Sequence, residues 1–242
     1  MKPTPTPKTR LERWPSLGQR LAPANDQGLT LIECLVAIIM VALVASAITP
    51  ALVLSVATRV QSQKAEQAMA LGQSEIDRVR TLVERGELAA VATQVPQAPN
   101  TVTETTVQSQ VGAAGGISNI KTTPTSPTET RAVDANNDNT PDFAVQIYRT
   151  RGITNAAGNP VAFALGVRVY DYDAVTTGTG NLETEPLSLR ITGGAGQRGN
   201  RPIAVFYTTV AQAEQGNSLC DLIRYSQSTT GVVASTPLGC TP

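Results

Sequence analysis

The sequence contains no histidine. That absence removes Ser-His-Asp triads, Cys-His pairs and histidine-ligated zinc together, because each needs an imidazole. Aromatic residues make up only 4% of the chain, which is thin for a large core, since Phe, Tyr and Trp bury the most area per residue. Three cysteines in 242 residues are too few for a disulfide scaffold. No charge excess exists either: Lys plus Arg and Asp plus Glu both total 19. Nucleic-acid binding usually needs a basic surplus, so no nucleic-acid partner is expected. The composition fits a structural or assembly component better than an enzyme, built as one domain or one domain plus a long tether.

What the chain does have is a long apolar run near its start. Residues 1–28 carry Lys2, Lys8, Arg10, Arg13 and Arg20 against Glu12 and Asp26, with prolines at positions 3, 5 and 7. Such a piece is expected to be unfolded. From Leu29 to Ala57 the only charge is Glu33. As a helix at ~1.5 Å per residue this run reaches roughly 43 Å, enough to cross ~30 Å of hydrocarbon. The basic flank predicts a cytoplasmic amino terminus and export of the remainder. Three readings compete. A cleaved secretory signal would use Ala45-Ser46-Ala47 as its cleavage site. A lipoprotein signal at Cys34 fails, because Glu33 stands where a small residue is needed and the apolar run follows the cysteine. The third reading cuts before the run and keeps it.

Gly28-Leu29-Thr30-Leu31-Ile32-Glu33 favours the third reading. It resembles the type IV prepilin motif: a glycine, the cut, a hydrophobic residue, Thr, two aliphatics, then glutamate as the fifth mature residue. Leu29 stands where the family usually has Phe. Counted from Leu29, Pro50 is residue 22, where pilins commonly carry a helix-kinking proline. The resemblance implies cleavage after Gly28 and methylation of the new Leu29 amine by the same prepilin peptidase. It implies other pilins or pseudopilins and an inner-membrane assembly platform as further partners. It also implies a single pass through the inner membrane, a periplasmic C-terminal domain, and a pilus or pseudopilus after assembly.

Glu33 is informative because a carboxylate near mid-membrane costs about 2.5–3.5 kcal/mol, less toward the end of a span. The Leu29 amine of one subunit can meet Glu33 of an axially staggered neighbour and offset that cost. The plainer reading is an ordinary helix N-terminal acid in headgroup water. The two are compatible as successive states. Pro50 removes one intrahelical hydrogen bond and crowds the Ser46 carbonyl, so a kink is expected. Cys34 reads as a buried small apolar residue.

Beyond Arg59 the helix turns amphipathic. Ala65, Ala68, Met69, Gly72, Ile76, Val79 and Val83 recur with a 3,4 spacing. Glu75, Asp77, Arg78 and Arg80 are expected off that stripe, and Gly86 is a plain stop signal. From Leu29 to Arg85 the helix would run roughly 85 Å. Between 91 and 130 stand ten threonines, four prolines and three charges, the composition of a linker or surface loop, with one strand expected around Thr101–Val107. Further strands are expected at Phe143–Tyr148, Val161–Tyr172, Leu187–Thr192 and Ile203–Val210. The fold class expected is therefore α+β, a pilin-like lollipop in which a long N-terminal transmembrane and amphipathic helix packs on a small antiparallel sheet. Its parts are a leader at 1–28, the transmembrane assembly half of the helix at 29–58, the amphipathic half at 59–90, a Thr/Pro-rich connector at 91–133, and an antiparallel β domain with a C-terminal disulfide loop at 134–242.

Asp134, Asn136, Asp138, Thr140 and Asp142 place oxygen-bearing side chains at alternate positions. That spacing can converge on a hard cation and resembles the DxDxDG calcium loops. Asn139 replaces their glycine, Val145 stands where a bidentate Glu would, and a strand follows. The alternative is an Asx-rich turn. Calcium is a possible ligand here, and no cofactor is required. Cys220 and Cys240 would meet an oxidising compartment after export, which favours a disulfide over two free thiols, at roughly 3 kcal/mol by loop-entropy arithmetic. Asp171/Asp173 and Glu183/Glu185 could mimic a glycosidase dyad, but read more simply as solvated charge.

Four stretches are similar to pseudopilins of cyanobacterial hormogonium polysaccharide secretion: TLIECLVA at 30–37, VLSVATRVQ at 53–61, GVRVYD at 166–171 and RPIAVFYT at 201–208. This resemblance implies a minor, non-catalytic subunit of a pilus-like machine supporting polysaccharide export and surface motility. Two alternatives stand beside it: a minor pilin of an adhesion, DNA-uptake or type II secretion apparatus, and a single-span anchored binding module that never polymerises.

Overall fold

The computed structural model describes residues 30–99, 106–118, 123–177, 181–187, 199–212, 218–230 and 240. Two compact units divide the chain, Met1–Val53 and Leu54–Pro242. Helix α1 (Leu31–Glu84) supplies the described part of the first unit and the opening element of the second. In the first unit every described residue is exposed.

In the second unit α1 buries Ala65, Ala68, Gly72, Ile76, Val79 and Val83, six of the seven stripe positions. Met69 stays 40% exposed, and Glu75 is buried in its place. The expectation for Glu75 is thus corrected: its carboxylate is covered because two arginines meet it, as described below. Gly72 faces the ring of Phe206: a Cβ there would lie 2.4 Å from its Cε2, so any larger residue would have to displace the ring. The helix stops at Gly86, whose φ of +73° places it in the left-handed region that favours glycine. Gly86 N donates to Val83 O and Glu87 N to Leu82 O, the paired bonds that satisfy a helix's last carbonyls. A short helix follows, α2 (Leu88–Gln94), and buries Leu88 and Val91 beside the stripe.

Six strands form one sheet: β1 (Gly116–Ser118), β2 (Glu129–Val133), β3 (Phe143–Arg149), β4 (Ile153–Thr154), β5 (Pro160–Asp171) and β6 (Ala204–Ala211). β3 pairs antiparallel with β5 from Phe143↔Asp171 to Arg149↔Leu165. β6 pairs antiparallel with the opposite edge of β5, from Ala162↔Ala211 to Val169↔Ala204. β4 continues along the β3 side of β5. The sheet is mixed, not purely antiparallel as expected, because β1 runs parallel to β2. Ten residues separate Ser118 from Glu129, more than the two that join an antiparallel hairpin. β1 and β2 both lie in the stretch read as a connector. Of the strand expected at Thr101–Val107, residues 101–105 lie outside the described residues. Of Leu187–Thr192 only Leu187 is described, with its N–H on Pro202 O at 2.8 Å.

The helix-facing side of the sheet carries Phe143, Val145, Ile147, Phe163, Leu165, Val167 and Val169, packed with the α1 stripe and α2. Each such side chain, fully buried, contributes about 1.5–3 kcal/mol. The other side is buried as well. Ala144, Gln146 and Tyr148 on β3, and Ala162, Ala164, Arg168 and Tyr170 on β5, are all covered. Their cover comes from Ala98 and Val111 of the connector, from Val175 in α3 (Tyr172–Thr177), and from Tyr225 in α4 (Ser218–Thr230). Neither α3 nor α4 follows from the sequence pattern.

Arg168 is the largest wholly buried side chain among the described residues. A buried cation is costly unless its donors are used. Its Nη1 donates to Val111 O at 3.0 Å and Gly112 O at 2.8 Å, its Nη2 to Gln108 O at 2.6 Å, and its Nε to Tyr207 Oη at 3.1 Å. Its guanidinium carbon lies 5.1 Å from the Tyr148 ring centroid and 5.8 Å from that of Tyr207, close enough for cation–π attraction. Carbonyl dipoles and two rings stand in for a counter-ion, and the connector is thereby tied to the sheet.

Candidate assembly segment and the surrounding sites

Thr30 begins the assembly segment. Its Oγ1 accepts from Glu33 N at 3.3 Å, and its carbonyl accepts from Glu33 N at 3.0 Å and Cys34 N at 3.1 Å. This is the geometry of an N-cap with an acid three residues on. Local chemistry alone therefore puts Glu33 in the first turn, where an acid also complements the helix dipole. Its carboxylate has no partner among the described residues. Gly28 and Leu29 lie outside the described residues.

From Leu31 to Val56 the large apolar side chains stand exposed, Leu31 at 83% and Val41 at 68%. α1 is long and apolar enough to cross a membrane, and none of its most apolar stretch is buried. A contiguous apolar surface of this kind needs a partner or lipid. Pro50 lies inside α1 and supplies no N–H to the Ser46 carbonyl. Nearby hydroxyls back other carbonyls of this stretch: Ser46 Oγ donates to Leu43 O at 2.8 Å and Thr49 Oγ1 to Ala45 O at 2.7 Å. Cys34 is a free thiol and, against expectation, is exposed on the chain by itself, since it lies on the apolar run that the fold does not cover.

The loop from Asp134 to Asp142 folds around its own side chains. Asp134 accepts from the backbone N–H of Asn136, Asn137 and Asn139 at 3.2, 2.6 and 2.8 Å. Asn136 Oδ1 accepts from Asp138 N at 2.9 Å, and Asp142 Oδ2 from Ala135 N at 3.0 Å. Asn137 and Asn139 take φ of 61° and 69°, which asparagine tolerates better than other non-glycine residues. The Thr140 hydroxyl and N–H on Asp138 hold its carboxyl below the usual carboxylate range. The loop thus has the hydrogen bonding of linked Asx turns. Among the described residues no three His, Cys, Asp or Glu side chains gather into a group that would hold a metal ion.

Cys220, in the first turn of α4, is bonded to Cys240 across a Cα–Cα distance of 5.5 Å. Asp171 pairs with Lys64 at 3.2 Å and accepts from Asp173 N at 3.3 Å. Glu183 pairs with Arg201 at 2.5 Å. One member of each acidic pair is therefore engaged within the fold.

Sequence reasoning missed three charged positions. Glu75 is bridged by Arg78 Nε at 3.0 Å and by Arg131 Nη2. Arg168 was invisible because an arginine between two valines reads as an outward position. Arg149 is buried beside Gln97 and Thr150, with Nη1 donating to Gln97 Oε1 at 3.2 Å, and burial lowers its guanidinium pKa. Residues 23–49 match the prokaryotic N-terminal methylation motif. The match covers 27 residues of the chain and leaves the rest unassigned. No curated protein and no solved structure matches the chain.

Proposed function

We propose, from an N-terminal methylation motif that indicates a type IV pilin or pseudopilin-type protein, that this chain is a minor, non-catalytic subunit of a pilus-like machine for polysaccharide secretion and gliding motility. The motif implies processing by prepilin peptidase and assembly with other pilins. One observation carries the reading: an apolar helix, exposed along its first half, presents a single carboxylate one turn from its start.

The chemistry follows from that placement. Hydrolysis of the peptide bond after Gly28 leaves a carboxylate on Gly28 and a protonated amine on Leu29. The leader's cations depart with it, so the helix start no longer carries a strongly basic flank. Between staggered helices the amine of one subunit reaches Glu33 of the next, away from water, where a charge pair is far stronger than in solvent. Methylating the amine keeps its charge. The polysaccharide role is supported by the resemblance of the four stretches at 30–37, 53–61, 166–171 and 201–208. A minor pilin of an adhesion, DNA-uptake or type II secretion system is the alternative. A deletion strain that exports polysaccharide and glides normally rejects the proposal. A calcium ion at Asp134, Asn136, Asp138, Thr140 and Asp142 would be an optional clamp on the loop, and absence of heat on titration with millimolar calcium rejects it.

The test of processing is mass spectrometry of the mature N-terminus. A chain starting at methylated Leu29 is expected. A chain starting at Ile48, or one retaining Met1, overturns the reading.

A further inference from the structure

A cleft outside the assembly segment opens between α1, α2 and β2. Its floor is Val145 and Ile147, and its walls carry Glu75, Arg78, Gln94 and Arg131. Glu75 is 95% buried, from a relative exposure of 5%, and holds a guanidinium on each carboxylate oxygen: Arg78 Nε on Oε2 and Arg131 Nη2 on Oε1. Gln94 Oε1 accepts from Arg78 Nη1 at 2.6 Å. The two arginine side chains are about a third exposed, at 33% and 31%.

Two cations share one anion here, so the cleft carries net positive charge. Each guanidinium has five N–H donors, and these contacts use only part of them. The remaining donors belong to groups already oriented by Glu75, which removes much of the entropy cost of fixing an arginine fork. The cleft has a volume of about 40 Å³, room for two or three waters. That space admits a carboxylate head while the rest of its molecule stays outside.

We infer that this cleft is a binding site for a carboxylate group from another molecule, received by Arg78 and Arg131, with Glu75 as the positioning residue that holds both forks apart and ready. The assignment is independent of the assembly role of α1. Charge-assisted fork contacts are among the strongest hydrogen bonds available to a carboxylate. Glutamine at position 75 would keep the shape but offer a single acceptor oxygen, so one of the two forks would lose the group that orients it and binding should weaken.

The experiment uses the full chain in detergent micelles, with sodium acetate as the probe and the arginine Nε–H resonances as the readout. Acetate is expected to shift the Arg78 and Arg131 signals saturably while leaving exposed Arg80 unmoved. Glu75→Gln is expected to weaken acetate binding about tenfold. Arg131→Gln should abolish saturation at Arg78. If that variant does not fold, Arg131→Lys, which keeps the charge but loses the fork, should weaken binding several-fold. Glucuronate and an acidic tripeptide separate a sugar acid from a peptide as the source, and one of them should bind more tightly than acetate. Shifts that sodium chloride reproduces at equal ionic strength overturn the inference. So does unchanged affinity in Glu75→Gln, or failure of both larger ligands to exceed acetate.

Discussion

Two stretches of one helix behave in opposite ways. Leu31–Val53 is almost wholly apolar and entirely exposed. Leu54–Glu84 is rich in Gln, Glu and Arg, yet it holds Ala68 and Val79 at zero exposure. Apolar content therefore does not decide burial within this chain. A surface that fits does. The second stretch meets Phe206, Val145 and Val167 of its own sheet. The first must find lipid or other subunits.

The sharpest way to break the comparison is Glu33→Ala. If the first stretch serves assembly, incorporation into filaments should fall to background, while unfolding of the second unit changes by less than ~0.5 kcal/mol, as distant sites act independently. A variant that still incorporates at wild-type level removes the reason for distinguishing the two stretches. Arg168→Met tests the opposite case, a change confined to the second unit. It leaves the Val111 carbonyl without its donor and removes one of the two donors on Gly112 O, which Gln146 Nε2 still meets at 3.1 Å; hydrogen bonds made by a charged group contribute about 1.5–3 kcal/mol each. Thermal unfolding should drop by on the order of 10 °C, with early proteolysis between 106 and 118.

Replacing Cys220 and Cys240 together by serine should cost roughly 3 kcal/mol of chain entropy, read by chemical denaturation. Incorporation should persist if the assembly surface is confined to the first stretch. The smallest effect is expected in alkali. Burial pushes the Tyr170 phenol up to about 12 and the Tyr148 phenol further still, against an ordinary value of 10. The fold thus favours both neutral phenols. Their contribution is intact below pH 10 and is lost as pH rises through 10 toward the folded values. All five tyrosines lie in the second unit. Tyrosinate absorbance should therefore show two late ionisations tied to loss of the sheet, while the helical signal of the first stretch survives.

How much of this could be read beforehand depended on how local the cause was. Gly28 and Glu33 are five residues apart, so the motif they frame is written in the chain. The stripe from Ala65 to Val83 was readable for the same reason, since helical spacing repeats within a few residues. β3, β5 and β6 were each placed within a residue or two at either end by alternation. Met69 was misjudged because the stripe's width depends on what faces it. Glu75 was misjudged because its partner Arg131 lies 56 residues away. The far side of the sheet was unreadable because Arg168 and Gln146 imitate solvent-facing positions, and only the connector's carbonyls convert them into interior ones.

The chain by itself determined the motif at 28–33, the apolar run with its lone carboxylate, the stop at Gly86 and the alternation of the strands. Each arises from neighbours a few residues apart or from backbone preferences that need no distant partner. Only the tertiary structure decided that both faces of the sheet are covered, that β1 enters parallel to β2, and that Arg168 and Glu75 are satisfied inside. Those outcomes need groups brought together from far along the chain, and an ion or an arginine is buried only where its partners have already been delivered.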